Sequence, residues 1–132
     1  MAEKNKIKIL IVEDENDYAE ILSTKFEKEG YDVVVAQNGQ AGINAAKELK
    51  PNIILMDIQM PVMNGIEAFY KLKADPETKD IKVVFLTNYG EPAKDASWLD
   101  DKFAREIGAG DYIRKTDSLD EIVKSVGKLL EN

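Results

Sequence analysis

No cysteine and no histidine occur in the 132 residues. The first absence excludes disulfides, thiolate nucleophiles and cysteine metal sites, and fits a reducing compartment, so a cytoplasmic protein is expected. The second removes the commonest general base and transition-metal ligand, which leaves carboxylates, hydroxyls and lysines to do any chemistry. Basic residues are also in deficit. A formal net charge of -7 argues against nucleic acid and anionic membrane surfaces, since both bind through clustered Lys and Arg. No apolar run approaches the roughly 20 residues needed to span a bilayer. The segment IKILIV near the N-terminus is too short for a signal peptide and runs straight into Glu13, Asp14 and Glu15, so it reads as a buried strand.

What the chain does have is the balance of a globular domain, with 44% hydrophobic and 33% charged residues. Its length fits one domain, and no repeat, low-complexity stretch or linker suggests a second. Short β-branched runs recur at Ile7–Val12, Tyr31–Ala36, Ile53–Met56, Val83–Leu86 and Tyr112–Ile113. Two of them, Ile9–Val12 and Ile53–Met56, are apolar at successive positions, as expected of central strands covered on both faces. Helical spacing fills the gaps. Tyr18, Ile21, Leu22 and Phe26 form one stripe before Gly30; Ile43, Ala46 and Leu49 form another before Pro51. Ile66, Phe69, Tyr70 and Leu72 mark a third helix, Ala93–Ile107 a further one, and Ile122, Val123, Val126, Leu129 and Leu130 the C-terminal one. Ser118 and Glu121 are placed as a capping box for that last helix.

Strands alternating with helices predict an α/β fold with right-handed crossovers and a mostly parallel sheet. Sites in such sheets gather at the carboxyl edge. That edge receives Glu13 and Asp14 from the first strand, Asp57 from the third, Thr87 from the fourth and Lys115 from the fifth. Three carboxylates at one spot repel each other, and a raised pKa or a bound cation resolves the conflict. An all-oxygen site suits Mg²⁺, with Mn²⁺ as an alternative. Because Mg²⁺ also takes phosphate oxygens, Asp57 is a candidate nucleophile for phosphoryl transfer. Thr87 and Lys115 would then offer a hydroxyl and an ammonium to the phosphoryl oxygens.

Taken together, IKILIVEDE, NIILMDIQMPVMNG, VVFLT and GAGDYIRK resemble the receiver domain of bacterial two-component response regulators, over essentially the entire chain. The resemblance implies a flavodoxin-like (βα)5 doubly wound sheet of strand order 2-1-3-4-5. It implies phosphorylation at Asp57, with Asp14 and Asp57 as direct magnesium ligands, Glu13 acting through water and Gln59 contributing its backbone carbonyl. Thr87 matches the switch hydroxyl, Lys115 the phosphate-binding lysine and Tyr112 the aromatic switch. Pro61 and Gly65 match the tight loop after Asp57.

As a whole, residues 1–132 are then expected to be one stand-alone, chemotaxis-regulator-like receiver without an output domain. The implied donor is a sensor histidine kinase or histidine phosphotransfer protein, and the implied output is contact with a downstream protein target. The implied oligomeric state is a monomer, or a dimer formed on phosphorylation. No turnover enzyme is expected beyond the domain's own phosphorylation and dephosphorylation.

Three departures from the family pattern stand out. Lys115 is followed by Thr116 rather than proline, and since a cis bond there costs about 3 kcal/mol, a trans peptide is expected. Asn88 is bulkier than usual after the switch Thr. The stretch from Asn88 to Gly110 is long, with Trp98, Leu99 and Phe103 assigned to core packing. The resemblance implies that Gln59 and Tyr89, two residues beyond Asp57 and Thr87, flank the place where a hydrolytic water would approach. Two other classes also use this architecture. A haloacid-dehalogenase-type phosphatase shares the Asp nucleophile but wants a second acid where Gln59 stands; a flavodoxin relative wants hydroxyls and amides where Glu13, Asp14 and Glu15 stand.

Overall fold

Each of the five β-branched runs forms a strand in the computed structural model, which describes residues 6–88 and 112–131. They are β1 (Lys8–Val12), β2 (Asp32–Ala36), β3 (Ile53–Asp57), β4 (Lys82–Thr87) and β5 (Tyr112–Arg114). All pair in parallel, in the order β2-β1-β3-β4-β5. The expected flavodoxin-like arrangement is therefore the observed one. The helix expected over Ala93–Ile107, the packing of Trp98, Leu99 and Phe103, and the position of Tyr89 lie outside the described residues.

Successive side chains of the two central strands feed two separate cores, which is why these segments are apolar throughout. Leu10, Val12, Ile54 and Met56 pack with Ile43 and Ala46 of α2 (Gly39–Leu49) and with Ala68, Phe69 and Leu72 of α3 (Gly65–Ala74). On the other face Ile9, Ile11, Ile53 and Leu55 meet Leu22 and Phe26 of α1 (Asn16–Lys28) and Ile122 and Val126 of the C-terminal helix α4 (Leu119–Leu130). All eight strand side chains are inaccessible to solvent. At about 1.5–3 kcal/mol for each buried aliphatic, these two strands are firmly held, and both end at the candidate site.

Helix ends follow local chemistry. Gly30 at φ 99° closes α1, donating to Glu27 O at 3.0 Å while Tyr31 N reaches Phe26 O at 3.1 Å, a paired arrangement that needs the left-handed residue between. The capping box of Ser118 and Glu121 opens α4 as expected. A second box, Asn64 with Glu67, opens α3. One stripe differs from expectation: Ile21 is 52% exposed and the buried line of α1 is Ala19, Leu22 and Phe26. Tyr70 likewise sits on the outer side of α3. Among the described residues no helix is long and apolar enough to cross a membrane.

Candidate functional site

Register places the site. Val12 lies opposite Met56, so Glu13 and Asp14 leave β1 beside Asp57, the last residue of β3. Asp57 pairs with Leu86, one residue before Thr87, and Thr87 pairs with Arg114, one residue before Lys115. Lys115 N donates to Thr87 O at 2.8 Å, which continues the ladder past the end of β5. The Lys115–Thr116 peptide is trans, as expected.

Glu13, Asp14 and Asp57 each present a carboxylate oxygen within 4.8 Å of the others. Glu13 and Asp57 are buried, while Asp14 is half-buried and opens onto a cleft of about 600 Å³ shared with Asn16, Gln37, Asn38 and Met63. One ammonium faces this crowd. Lys115 Nζ stands 2.7 Å from Glu13 Oε1, 3.1 Å from Glu15 Oε1 and 3.3 Å from Asp57 Oδ1, with its side chain only 6% exposed. It also lies 5.2 Å from the centroid of the Tyr18 ring. The contact with Glu13 is the shortest of the three, and it joins two side chains almost wholly out of solvent. The contact with Glu15 has hydrogen-bond geometry.

The electrostatics record the crowding. Burial first, and then the neighbouring Glu13, push the Asp57 carboxyl up to about 8, although Lys115 pulls the other way. Burial alone would lower Lys115, but its contacts with Glu13, Asp57 and Glu15 outweigh that and hold it above the ordinary lysine value. Burial is also the main cause that pushes the Tyr18 phenol up to about 12. Three acids with carboxylate oxygens within 4.8 Å of one another, against one ammonium, form a donor set that fits a hard divalent cation. Its ligands would be carboxylate oxygens throughout, as Mg²⁺ prefers.

Other expected residues lie close by. Gln59 N donates to Asp57 Oδ1 at 3.3 Å, which brings the Gln59 main chain to the site. Thr87 is buried. Tyr112 is half-buried, its ring centroid 6.3 Å from that of Phe85, and it packs against the α2–α3 core. Thus Glu13, Asp14, Asp57, Gln59, Thr87 and Lys115 share one rim, with Tyr112 beneath it. Sequence reasoning missed two neighbours of the lysine. Tyr18 had been placed in a helical stripe, and nothing in its spacing separates that role from an aromatic carrying an ammonium. Glu15 had a signal, because it occupies the N-cap of α1 where Ser, Thr, Asp and Asn are preferred.

Comparison with known proteins extends the picture. The family model for the response regulator receiver domain matches residues 9–127. Protein PilH of Pseudomonas aeruginosa is 34% identical over 123 residues, covering 93% of this chain and 97% of its own. The phosphate regulon transcriptional regulatory protein PhoB of the same organism is 36% identical over 122 residues; the match covers 92% of this chain but 51% of PhoB. This chain thus spans about half the length of such transcriptional regulators. Among solved structures, the chemotaxis protein CheY4 of Vibrio cholerae superposes with a TM-score of 0.79 at 23% identity over 93% of this chain and 98% of its own, a likeness of fold. The receiver domain of the Francisella response regulator 1452 gives 0.78 at 25% identity over 96% and 98%. A family match along nearly the whole length, joined to a relative of PilH's similarity, places this chain in the family of response regulator receiver domains of two-component signalling.

Proposed function

We propose that the chain is a phosphoacceptor module in which Asp57 takes a phosphoryl group from a histidine-phosphorylated partner in a Mg²⁺-dependent reaction. The observation that carries this reading is the rim itself: Glu13, Asp14 and Asp57 within 4.8 Å of one another, with the Lys115 ammonium 3.3 Å from Asp57 Oδ1. A carboxylate oxygen of Asp57 attacks phosphorus. A P–O bond forms as the P–N bond of the donor's phosphohistidine breaks, and the departing imidazole keeps the bonding pair and takes up a proton. No histidine occurs in these 132 residues, so the donor is a phosphohistidine outside them, of a sensor histidine kinase or histidine phosphotransfer protein, or a small phosphodonor.

Asp14 and Asp57 would hold Mg²⁺ directly, Glu13 through water, and Gln59 through its carbonyl; Mn²⁺ suits the same oxygens. When bound, the metal supplies positive charge against the phosphoryl oxygens. Lys115 and the Thr87 hydroxyl serve two more of those oxygens as donors. Drawing Thr87 toward the phosphoryl group would let Tyr112 repack, changing the surface near β5 that a downstream protein reads. Residues 1–132 act on this reading as one receiver, in the cytoplasm, without nucleic-acid contacts of their own given the charge of -7. The module modifies itself and turns over no external substrate.

Intact mass measured after incubation with Mg²⁺ and acetyl phosphate tests the reading. The parent should gain one phosphoryl group and Asp57→Asn none. A parent that stays unmodified, or an Asp57→Asn variant modified equally, overturns it.

A further inference from the structure

We infer that Glu15 is a positioning residue, an exposed counter-charge that holds the Lys115 ammonium until a phosphoryl group on Asp57 displaces it. The inference rests on the phosphoacceptor reading above and concerns how the same site is poised.

Two independent features of Glu15 support it. First, it sits at the N-cap of α1, yet its side chain makes no capping hydrogen bond. A side chain at that position ordinarily satisfies a free N–H at the helix start. Glu15 instead reaches across 100 residues of sequence to Lys115 Nζ, 3.1 Å away with hydrogen-bond geometry. Its own backbone N–H is anchored to Glu13 Oε2 at 3.0 Å, which fixes the residue beside the site.

Second, the partners of the ammonium are unequal in what their release entails. The side chains of Glu13 and Asp57 are 0% and 4% exposed, whereas that of Glu15 is 63% exposed. Separating a buried carboxylate from its cation leaves an uncompensated charge out of water. Separating Glu15 returns it to solvent, at the small expense typical of surface ion pairs. An ammonium has three hydrogens and no more. A phosphoryl group on Asp57 removes that residue's carboxylate charge and adds new anionic oxygens in reach of the same ammonium. Glu15 is the partner that yields, and its negative charge competes with the phosphoryl group for as long as it stays. The Tyr18 ring, 5.2 Å from the ammonium, gives the cation a neighbour that is not an anion.

The test is binding of beryllium fluoride, an inert stand-in for an aspartyl phosphoryl group, to the full chain at saturating Mg²⁺, read by fluorine NMR. Glu15→Gln should bind about two- to five-fold tighter than the parent, the fold-change set by an exposed pair. Glu15→Asp, which keeps the charge, should fall closer to the parent. Asp17→Asn, which removes an exposed acid in the same helical turn outside the ammonium's partners, should bind as the parent does. A damaged fold would weaken binding, so tightening separates competition from a structural defect. Unchanged or weaker binding by Glu15→Gln, or equal tightening by Asp17→Asn, overturns the inference while leaving the phosphoacceptor reading standing. A parent that neither binds the probe nor gains a phosphoryl group overturns both.

Discussion

Gly65 presses against the backbone of Asp57: a Cβ built on Gly65 would stand 2.3 Å from Asp57 O and 3.0 Å from Asp57 C. The contact brings the start of α3 onto the end of β3, sealed by Gly65 N donating to Ile58 O at 2.9 Å. Here glycine is required by close approach and not by an unusual φ. Gly65→Ala must move the loop that carries Gln59 away from the acids. The expected outcome is a loss of stability of about 1–3 kcal/mol from overpacking. Mg²⁺ affinity should fall about ten- to hundred-fold, as when the supports of metal ligands are disturbed. Calorimetric titration below the variant's melting temperature checks it; parent-like Mg²⁺ affinity would show that the loop can absorb a methyl group.

Removing the metal should expose a pH dependence centred on Asp57. Its folded-state carboxyl titrates at about 8 against an ordinary 3.8. Between those values the folded chain binds more protons than the unfolded chain, so stability is greatest at the acid end and falls as pH rises toward 8. Asp57→Asn removes the titrating group. In a chelator the variant should be more stable than the parent at about pH 8, by on the order of 1–3 kcal/mol, because it removes a carboxylate charge that burial and the neighbouring Glu13 disfavour. Mg²⁺ competes with the proton, so its affinity for the parent should climb across the same window. Melting curves at several pH values, with and without Mg²⁺, read both trends; a parent curve flat from about pH 5 to 8 in chelator would contradict the first.

Lys115→Met should behave in the opposite way. It strips the ammonium from Glu13 and Asp57, whose side chains are 0% and 4% exposed. Breaking a buried pair from one side costs about 3–5 kcal/mol. Urea unfolding in chelator should register that loss, and Mg²⁺ should recover much of it by supplying the missing positive charge. Equal destabilisation with and without Mg²⁺ would mean that the lysine contributes through packing alone.

Val62 offers a change on the loop after Asp57, where its exposed side chain lines the cleft that Asp14 opens onto without offering a ligand atom. It is fully solvent-exposed at φ 70°, a region that β-branched residues avoid and Asn tolerates. Val62→Asn should raise the melting temperature by a few degrees and leave Mg²⁺ affinity unchanged. A lower melting temperature would show that the backbone there carries no strain.

Much of this was legible before any coordinates. Runs such as Ile9–Val12 and Ile53–Met56 announce buried parallel strands because both faces are apolar, and parallel strands bring Glu13, Asp14, Asp57, Thr87 and Lys115 to one edge whatever the side-chain detail. Less legible was anything decided by side-chain direction. Ile21 fits a helical stripe by spacing but faces solvent, since the line through Ala19, Leu22 and Phe26 already fills the contact with the sheet. Tyr18 and Glu15 reach Lys115 from nearly a hundred positions away, and local patterns hold no record of such a meeting. The Asn64–Glu67 box was within reach, being the same pattern as Ser118–Glu121 with Asn in place of Ser.

The bond from Lys115 N to Thr87 O couples two residues whose side chains differ entirely in kind. The bond extends the β4–β5 ladder one step beyond the last residue of β5, Arg114. The hydroxyl and the ammonium thus stand on neighbouring strand ends tied by main chain, so the spacing between the two phosphoryl donors is set by the backbone and not by either side chain.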